Sequence, residues 1–592
     1  MLSNLFGAFI ATTLGSGVIA PLGEVILPAD HFLREGPGFR TPELGTAKRF
    51  DVLGQPFAKA WQVTVNQKSE DTNYIQFTVP IPVALSRGDR LVLDAYVRGP
   101  GRVGLAVQKG TSPWTTSMFE TVAAPSASTW RHVLLPFTAS DNHPAGDAVV
   151  FVRAAFGPQT VAVGGLTMRR LGAGWDLDRM YSALAPEIGI RSVDVMVDPR
   201  KSRQRTDGLG GNMANGRGPY GEVHDPISRW LIKDLRPTVV RIGLPLGVWS
   251  PAEGKTDPDN ARLKQVLELS REAQAQGARL IASVWHGPGW LATEPAAEVH
   301  TWRRDRYAAG VEAWTSFLQH ARDAYGVNYD YVSFNEADYG VNVKWSPEDL
   351  AEFMRLSTAA FRRAGLSAKW LVADTANGVS APPFIRAAMA VPSLRGELGP
   401  VAFHSWDVRG VDENAWREIA RLAREMKLPV WCTELGWDAG AWRYQPPVWP
   451  TKTNALNLAL AYAQAIRLAE SSNLMYWQYQ NDYPLGQGPD GKFPAYDVVR
   501  QFARLMAPGG FVVDTTVTGE DLIAVSSVRE GRARCIVVNL AGMVRVSLKG
   551  MGKGPWIVRE LGVSDQPARQ ISSLTGWQVP TRSAWIIEPV AN

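Results

Sequence analysis

The sequence predicts a chain with three regions: an all-β region, a central eightfold βα barrel and a second, smaller all-β region. Three observations lead there. Apolar and polar residues alternate with a period of two through residues 50–171 and again after 510, the pattern of strands with one buried face. Between those stretches the rhythm changes to strand, loop and amphipathic helix, repeated, as parallel βα units require. In the central region a pair of apolar runs, Val332-Ser333-Phe334-Asn335-Glu336 and Pro429-Val430-Trp431-Cys432-Thr433-Glu434, each end in a glutamate. A length of 592 residues exceeds one hydrophobic core and suits about three domains at roughly 100 to 200 residues each. The expected segments are 1–28 as a leader, 29–172 and 509–592 as β-sandwiches, and 173–508 as the barrel.

Composition narrows the partners. The 62 basic and 57 acidic residues leave a net charge of +5, and no Lys/Arg run points to nucleic acid. The 22 tryptophans offer flat apolar faces with an N–H donor, which suit sugar rings as well as cores. Residues 1–20 carry no charge and hold the apolar stretch Leu5 to Ile10. That resembles the apolar stretch of a secretion signal lacking its basic start, and it predicts a secreted or periplasmic protein. Nothing else approaches the 18 or more apolar residues of a membrane span. Cys432 and Cys535 fall in different predicted domains, so neither a disulfide between them nor a cysteine-rich metal site is expected.

In the first β region the strands read as Ala60 to Val65, Tyr74 to Val79, Arg90 to Val97, Arg102 to Val107, Trp130 to Phe137, Ala148 to Ala154 and Thr160 to Met168. Gly88-Asp89 before the third of them, Trp130-Arg131-His132-Val133 and Gly164-Gly165-Leu166-Thr167-Met168 resemble the jelly-roll sandwiches of carbohydrate-binding modules. The tryptophans of this region are Trp61, Trp114 and Trp130.

The barrel strands read as Thr238 to Ile242, Arg279 to Val284, Tyr331 to Asn335, Trp370 to Ala373, Val401 to His404, Val430 to Thr433 and Leu474 to Gln478, after a first strand near Asp207 to Gly211. Helices span Asn260 to Gln276 and Arg304 to Tyr325. Barrel chemistry sits at the C-terminal strand ends, and polar and aromatic residues collect there. Arg241 ends the second strand, and His286 and Trp290 follow the third. Asn335 and Glu336 end the fourth with Tyr339 just beyond, and Asp374 ends the fifth. His404 and Trp406 close the sixth, Glu434 and Trp437 the seventh, and Trp477, Gln478 and Tyr479 the eighth. Glu434 lies 98 residues after Glu336, which suits three βα units of roughly 30 to 40 residues and sets the two acids on facing sides of the mouth. Paired carboxylates there can serve as proton donor and nucleophile, with about 5 to 5.5 Å between them if anomeric configuration is retained. In those roles the donor must be protonated near neutral pH and the nucleophile ionised.

Asn335-Glu336 on the fourth strand and Glu434 on the seventh resemble the large clan of retaining β-glycosidases with an eightfold barrel. With Gly208-Leu209-Gly210-Gly211 on the first strand and a C-terminal sandwich, the chain looks closest to the glucuronoxylanase, glucosylceramidase and xylosidase groups. That resemblance implies Glu336 as acid/base, Glu434 as nucleophile, Asn335 on the sugar 2-hydroxyl and Arg241 holding Glu434 ionised. His404 and Trp477 would shape the subsite of the cleaved sugar. From their place at or just beyond the strand ends, and not from the resemblance, Trp406, Trp437, Tyr479, His286, Trp290 and Tyr339 are also expected to contact substrate. No cofactor and no metal are implied. Ala337 departs from the proline that usually follows the acid/base, so the reaction type is better supported than any one sugar. An α-L-arabinofuranosidase using the same two glutamates, and a non-catalytic sugar-binding protein on a degenerate barrel, are the alternatives. The glycine run is expected to serve close packing or a tight turn, and Cys432, two residues from Glu434, to face the same barrel side.

Overall fold

The computed structural model describes residues 23–34, 36–67, 72–111, 115–124, 126–172, 175, 180, 190–214, 223, 226–406, 411–443, 447–479, 483–519, 522–540, 542–563 and 568–590. Residues 1–22 of the expected leader 1–28, and Trp114, lie outside them. The chain divides into two compact units, Met1–Ile188 and Gly189–Asn592.

The first unit contains two antiparallel sheets. One orders Gly45–Asp51, Lys59–Val65, Gln159–Leu171, Arg90–Arg98 and Arg131–Thr138, with Glu24–Leu27 paired to Gln159–Leu171. The other orders Gly38–Phe39, Ile75–Pro80, Ala148–Arg153, Gly101–Lys109 and Thr116–Ala124. Alternation sets what each strand buries: Leu91, Leu93, Ala95 and Val97 on one sheet pack with Val103, Leu105 and Val107 of the other in a single core. All seven strands expected in this region are present, and the two longest unforeseen ones, Gly45–Asp51 and Thr116–Ala124, lie at sheet edges. An edge strand is half solvated and tolerates charges such as Lys48, Arg49 and Glu120, which blunt its periodicity.

In the second unit eight parallel strands pair in a closed ring. They are β1 (Leu209–Met213), β2 (Val239–Leu244), β3 (Arg279–Val284), β4 (Tyr331–Phe334), β5 in two pieces (Lys369–Trp370 and Val372–Thr375), β6 (Val401–Ser405), β7 (Val430–Leu435) and β8 (Ser471–Tyr476). Each pairs with its successor, and β8 returns to β1 through Leu209–Leu474 and Gly211–Tyr476. Within the ring Val239, Ile281, Leu371, Ala402, Trp431 and Met475, with Tyr331, form a packed layer. Helices between the strands carry caps that their sequences supply. Asn260 accepts from the N–H groups of Arg262 and Leu263 at the start of Ala261–Ala275, and Ser346 accepts from Asp349 before Pro347–Arg363, satisfying donors the first turn leaves open.

The glycine run on β1 is where close packing demands it. A Cβ on Gly210 would stand 2.7 Å from the Val239 carbonyl, and one on Gly211 2.1 Å from the Tyr479 ring.

The remaining strands form one nine-stranded sheet, in contrast to the separate C-terminal sandwich expected from residue 509. Arg191–Arg205 belongs to it, pairing in parallel with Val544–Lys549 and antiparallel with Phe511–Val517. A boundary at 172/173 therefore gives the barrel a strand that it does not contain. Val193, Val195 and Val197 alternate inward, but the run Asp198 to Arg205 that follows is polar and reads as a loop. Alternation also explains how the sheet serves two cores: Cys535, Val537, Trp585 and Ile587 face its own interior, while Ile536, Val538 and Ile586 join the core shared with the barrel helices.

Candidate active site

Parity along each strand decides which side chains reach the barrel lumen. On β2 Val239 lies in the lumen layer, so Arg241 follows on the same side, one pleat nearer the mouth. On β6 Ala402 is in the layer and His404 above it; on β4 Tyr331 is followed by Ser333 and then Asn335. These positions bring Arg241, Asn335, His404, Asp374 and Glu434 together, all at most 3 % exposed.

Arg241 is the hub. One terminal nitrogen donates to Glu434 Oε1 at 2.8 Å and Asn212 Oδ1 at 3.1 Å; the other donates to Asn335 Oδ1 at 2.7 Å and Asp374 Oδ2 at 2.9 Å. Trp285 lies against the guanidinium, its ring centroid 4.5 Å away. His404 sits among three carboxylates: its Nδ1 is 3.5 Å from Glu336 and 3.4 Å from Glu434, and its Nε2 is 3.5 Å from Asp374. Thr433 donates its hydroxyl to Asp374. One oxygen of Glu336, one of Glu434 and one ring nitrogen of His404 all lie within 4.8 Å of one another.

Burial sets the electrostatics. Burial alone would push the imidazole down, but Glu434, Asp374 and Glu336 outweigh it and push His404 up to about 10. Burial would likewise raise Asp374, yet Arg241 and His404 hold it well below the usual carboxylate range. For Glu434 burial wins: the carboxyl lies above its ordinary value although His404 and Arg241 pull it down. Arg241 therefore acts in the expected direction, favouring the ionised carboxyl, against the larger opposing effect of burial. Two cations thus face two buried anions, with Glu336, its side chain 17 % exposed, as the third carboxyl. Glu336, His404 and Glu434 have the spacing of metal ligands, but the Arg241 guanidinium bonded to Glu434 opposes a dication beside it.

Because the His404 proton is held far above the ordinary 6.5, its contribution to stability is complete below about pH 6.5 and is lost as pH rises through about 10. Unfolding free energy measured in denaturant from pH 7 to pH 10 should fall by on the order of a few kcal/mol. A His404→Asn variant should show a flatter slope; parallel slopes for the two proteins would contradict a cationic His404.

Other expected residues divide. Trp477 and Trp406 are half-buried neighbours, ring centroids 6.2 Å apart, and Trp477 also lies 5.9 Å from Trp285. Tyr339 stands 70 % exposed beyond Glu336. His286 and Trp290 are half-buried on the loop after β3, Trp290 donating its indole N–H to the Ser250 carbonyl at 2.9 Å. Trp437 donates to Asn454 at 2.7 Å and so anchors the loop after β7 to helix Lys452–Leu468. Tyr479 is a correction: it is 1 % exposed, packs over Gly211 and sends its hydroxyl to the Gly210 carbonyl at 3.3 Å, in the core away from the carboxylates. Cys432 is another. The β6–β7 register slips between Phe403–Cys432 and His404–Glu434, so Glu434 turns inward while Cys432 joins the core outside the ring. Trp285, Asp374 and Asn212 are partners to which the sequence pattern assigned no role. Trp285 had a signal, since it continues the inward parity of Ile281 and Ser283.

No protein-family model matches this chain, and no curated protein does. Among solved structures the chain is similar to a GH30 endoxylanase from Clostridium papyrosolvens C71, at 18% identity over 67% of this chain and 100% of that one, with a TM-score of 0.54. It is similar also to a glycoside hydrolase family 30 subfamily 8 xylanase from Clostridium acetobutylicum, at 15% identity, 67% and 100% coverage and a TM-score of 0.53. The catalytic domain of GH30 xylanase C from Talaromyces cellulolyticus follows at 17% identity, 67% and 100% coverage and a TM-score of 0.51. At these identities the likeness is one of fold.

Proposed function

We propose that the protein is a retaining glycoside hydrolase acting on a β-linked polysaccharide or oligosaccharide, with Glu336 as acid/base and Glu434 as nucleophile. The observation that carries this is the approach of the two carboxylates to within 4.8 Å at facing strand ends. Inverting enzymes need roughly 6.5 to 9.5 Å to seat a water opposite the leaving group, whereas a pair this close suits direct attack by one carboxylate. To form the glycosyl ester Glu434 must be ionised, and contacts from Arg241 and His404 favour that form. Glu336, on the solvent side, gives its proton to the leaving oxygen and later takes one from the incoming water. Asn335, oriented by Arg241, is placed to meet the 2-hydroxyl.

The fold shared with solved xylanases makes xylan the first substrate to try, beside glucans, mannans, galactans and arabinans. The uncharged first twenty residues support export, where such polymers are met. The two antiparallel sheets of the first unit support the jelly-roll reading of that region. Following the first-formed sugar by proton NMR tests the mechanism: the product anomer should match that of the bond cleaved. An inverted product would refute double displacement, and hydrolysis of none of these glycans would count against the activity.

A further inference from the structure

The turn that carries Glu336 is built unlike an ordinary strand exit. Glu336 has φ +49° and, on the next strand, Ala373 and Asp374 have φ +80° and +52°, left-handed conformations that non-glycine residues hold only when their surroundings impose them. After Glu336 the chain has Ala337, without the fixed φ of the proline that the resembling families place there. Something else must hold this turn.

The bonds that do so are visible. Ala337 is fully buried and its carbonyl accepts from the Trp345 N–H at 2.8 Å. Asn342 accepts from the Gly287 N–H at 3.1 Å and donates to the Glu298 carbonyl at 3.0 Å, fastening the far end of the loop to the loop after β3. Within the turn the Glu336 carbonyl accepts from the Tyr339 and Gly340 N–H groups at 3.1 and 2.6 Å, and two residues beyond the acid half-buried Asp338 accepts from the Ala376 N–H through Oδ1 at 2.8 Å. That bond joins the turn of Glu336 to the turn of Asp374, the residue that shares Arg241 with Glu434. It therefore fixes the height and direction of one carboxyl relative to the network holding the other.

We propose that Asp338 is a positioning residue for proton transfer by Glu336, setting the acid where it meets the leaving-group oxygen; this rests on the glycosidase reading above. A residue that acts only through the acid must matter in proportion to how much the leaving group needs a proton. Phenoxide needs one; 2,4-dinitrophenoxide does not.

The test measures kcat/KM, which reports glycosyl transfer to the enzyme, on phenyl and 2,4-dinitrophenyl β-xylosides, or on the same pair built on whichever sugar the unsubstituted protein cleaves. Asp338→Ala should lose about 10- to 100-fold on the phenyl substrate, the scale of a misplaced catalytic group, and stay within about twofold on the dinitrophenyl one. Asp338→Asn keeps an oxygen that accepts from Ala376 and should stay within about twofold on both, which also covers the case of an Ala variant that folds poorly. Equal losses on the two substrates, or no loss on the phenyl one, would overturn the positioning role. Glu336→Gln serves as reference: if it fails to discriminate between the leaving groups, the acid assignment itself is wrong and the proposal falls with it.

Discussion

Glu434→Gln is expected to lower kcat/KM on every glycan substrate by roughly four orders of magnitude or more, the scale seen when a nucleophile is removed from a covalent mechanism. The reason is chemical, since an amide has no anionic oxygen with which to form the ester. The geometry makes the experiment clean. Glutamine fills the same volume, and its carbonyl oxygen can still accept from Arg241, whose other bonds to Asn212, Asn335 and Asp374 persist. Thermal melts of the variant and its parent should therefore agree within a few degrees, so that lost rate cannot be assigned to lost fold. Incubating the parent protein with a 2-fluoroglycosyl fluoride should add one sugar to the peptide containing Glu434. A variant as active as the parent would sink the catalytic assignment, and an adduct on another residue would refute the nucleophile in particular.

The two glutamates were legible because each ends an apolar run at a barrel position, and the parallel ring and its spacing follow from that rhythm. Arg241 was legible for the same reason. What escaped was set by geometry that a linear pattern does not carry. Asp374 was visible as a strand end, but its pairing with Arg241 arises because β5 breaks into two pieces and leaves with left-handed residues. Cys432 and Glu434 should share a face by period two; the register slip against β6 separates them. Tyr479 follows a strand end, yet the bare Cα of Gly211 provides the space that its ring fills. Arg191–Arg205 was hidden for a different reason, since its strand partners come more than three hundred residues later.

Arg241→Met should produce the largest loss of stability of any single change at the site. The guanidinium is fully buried, so the native protein bears its desolvation only because Glu434, Asp374, Asn212 and Asn335 together receive its protons and Trp285 covers its face. Methionine is apolar and fills the place of the arginine stem but ends short of the guanidinium, and Asp374 and Glu434 are left buried with His404 as their one cation among the described residues. Removing one member of such a network costs about 3 to 5 kcal/mol, and chemical denaturation at pH 7 should show a loss of that order. The pH dependence identifies the cause. In the parent, Asp374 is held below its ordinary 3.8, so it contributes stability above that pH which is lost as pH falls. Without Arg241, burial is free to push the same carboxyl upward. The variant then gains relative stability as pH falls and the acid neutralises, and the gap between the two proteins should narrow from pH 7 to pH 4. A cavity or packing defect would give a gap independent of pH. Arg241→Lys separates charge from geometry: a single ammonium restores a cation but cannot present two nitrogens to four acceptors. It should therefore recover some of the stability while kcat/KM stays lower by roughly 100-fold or more, the usual cost of a lost preorganised donor, because Asn335 and Glu434 are no longer held in one frame. If the lysine variant matched the parent in rate, the fork of Arg241 would be a matter of folding alone, and the placement of Glu434 would have to come from His404.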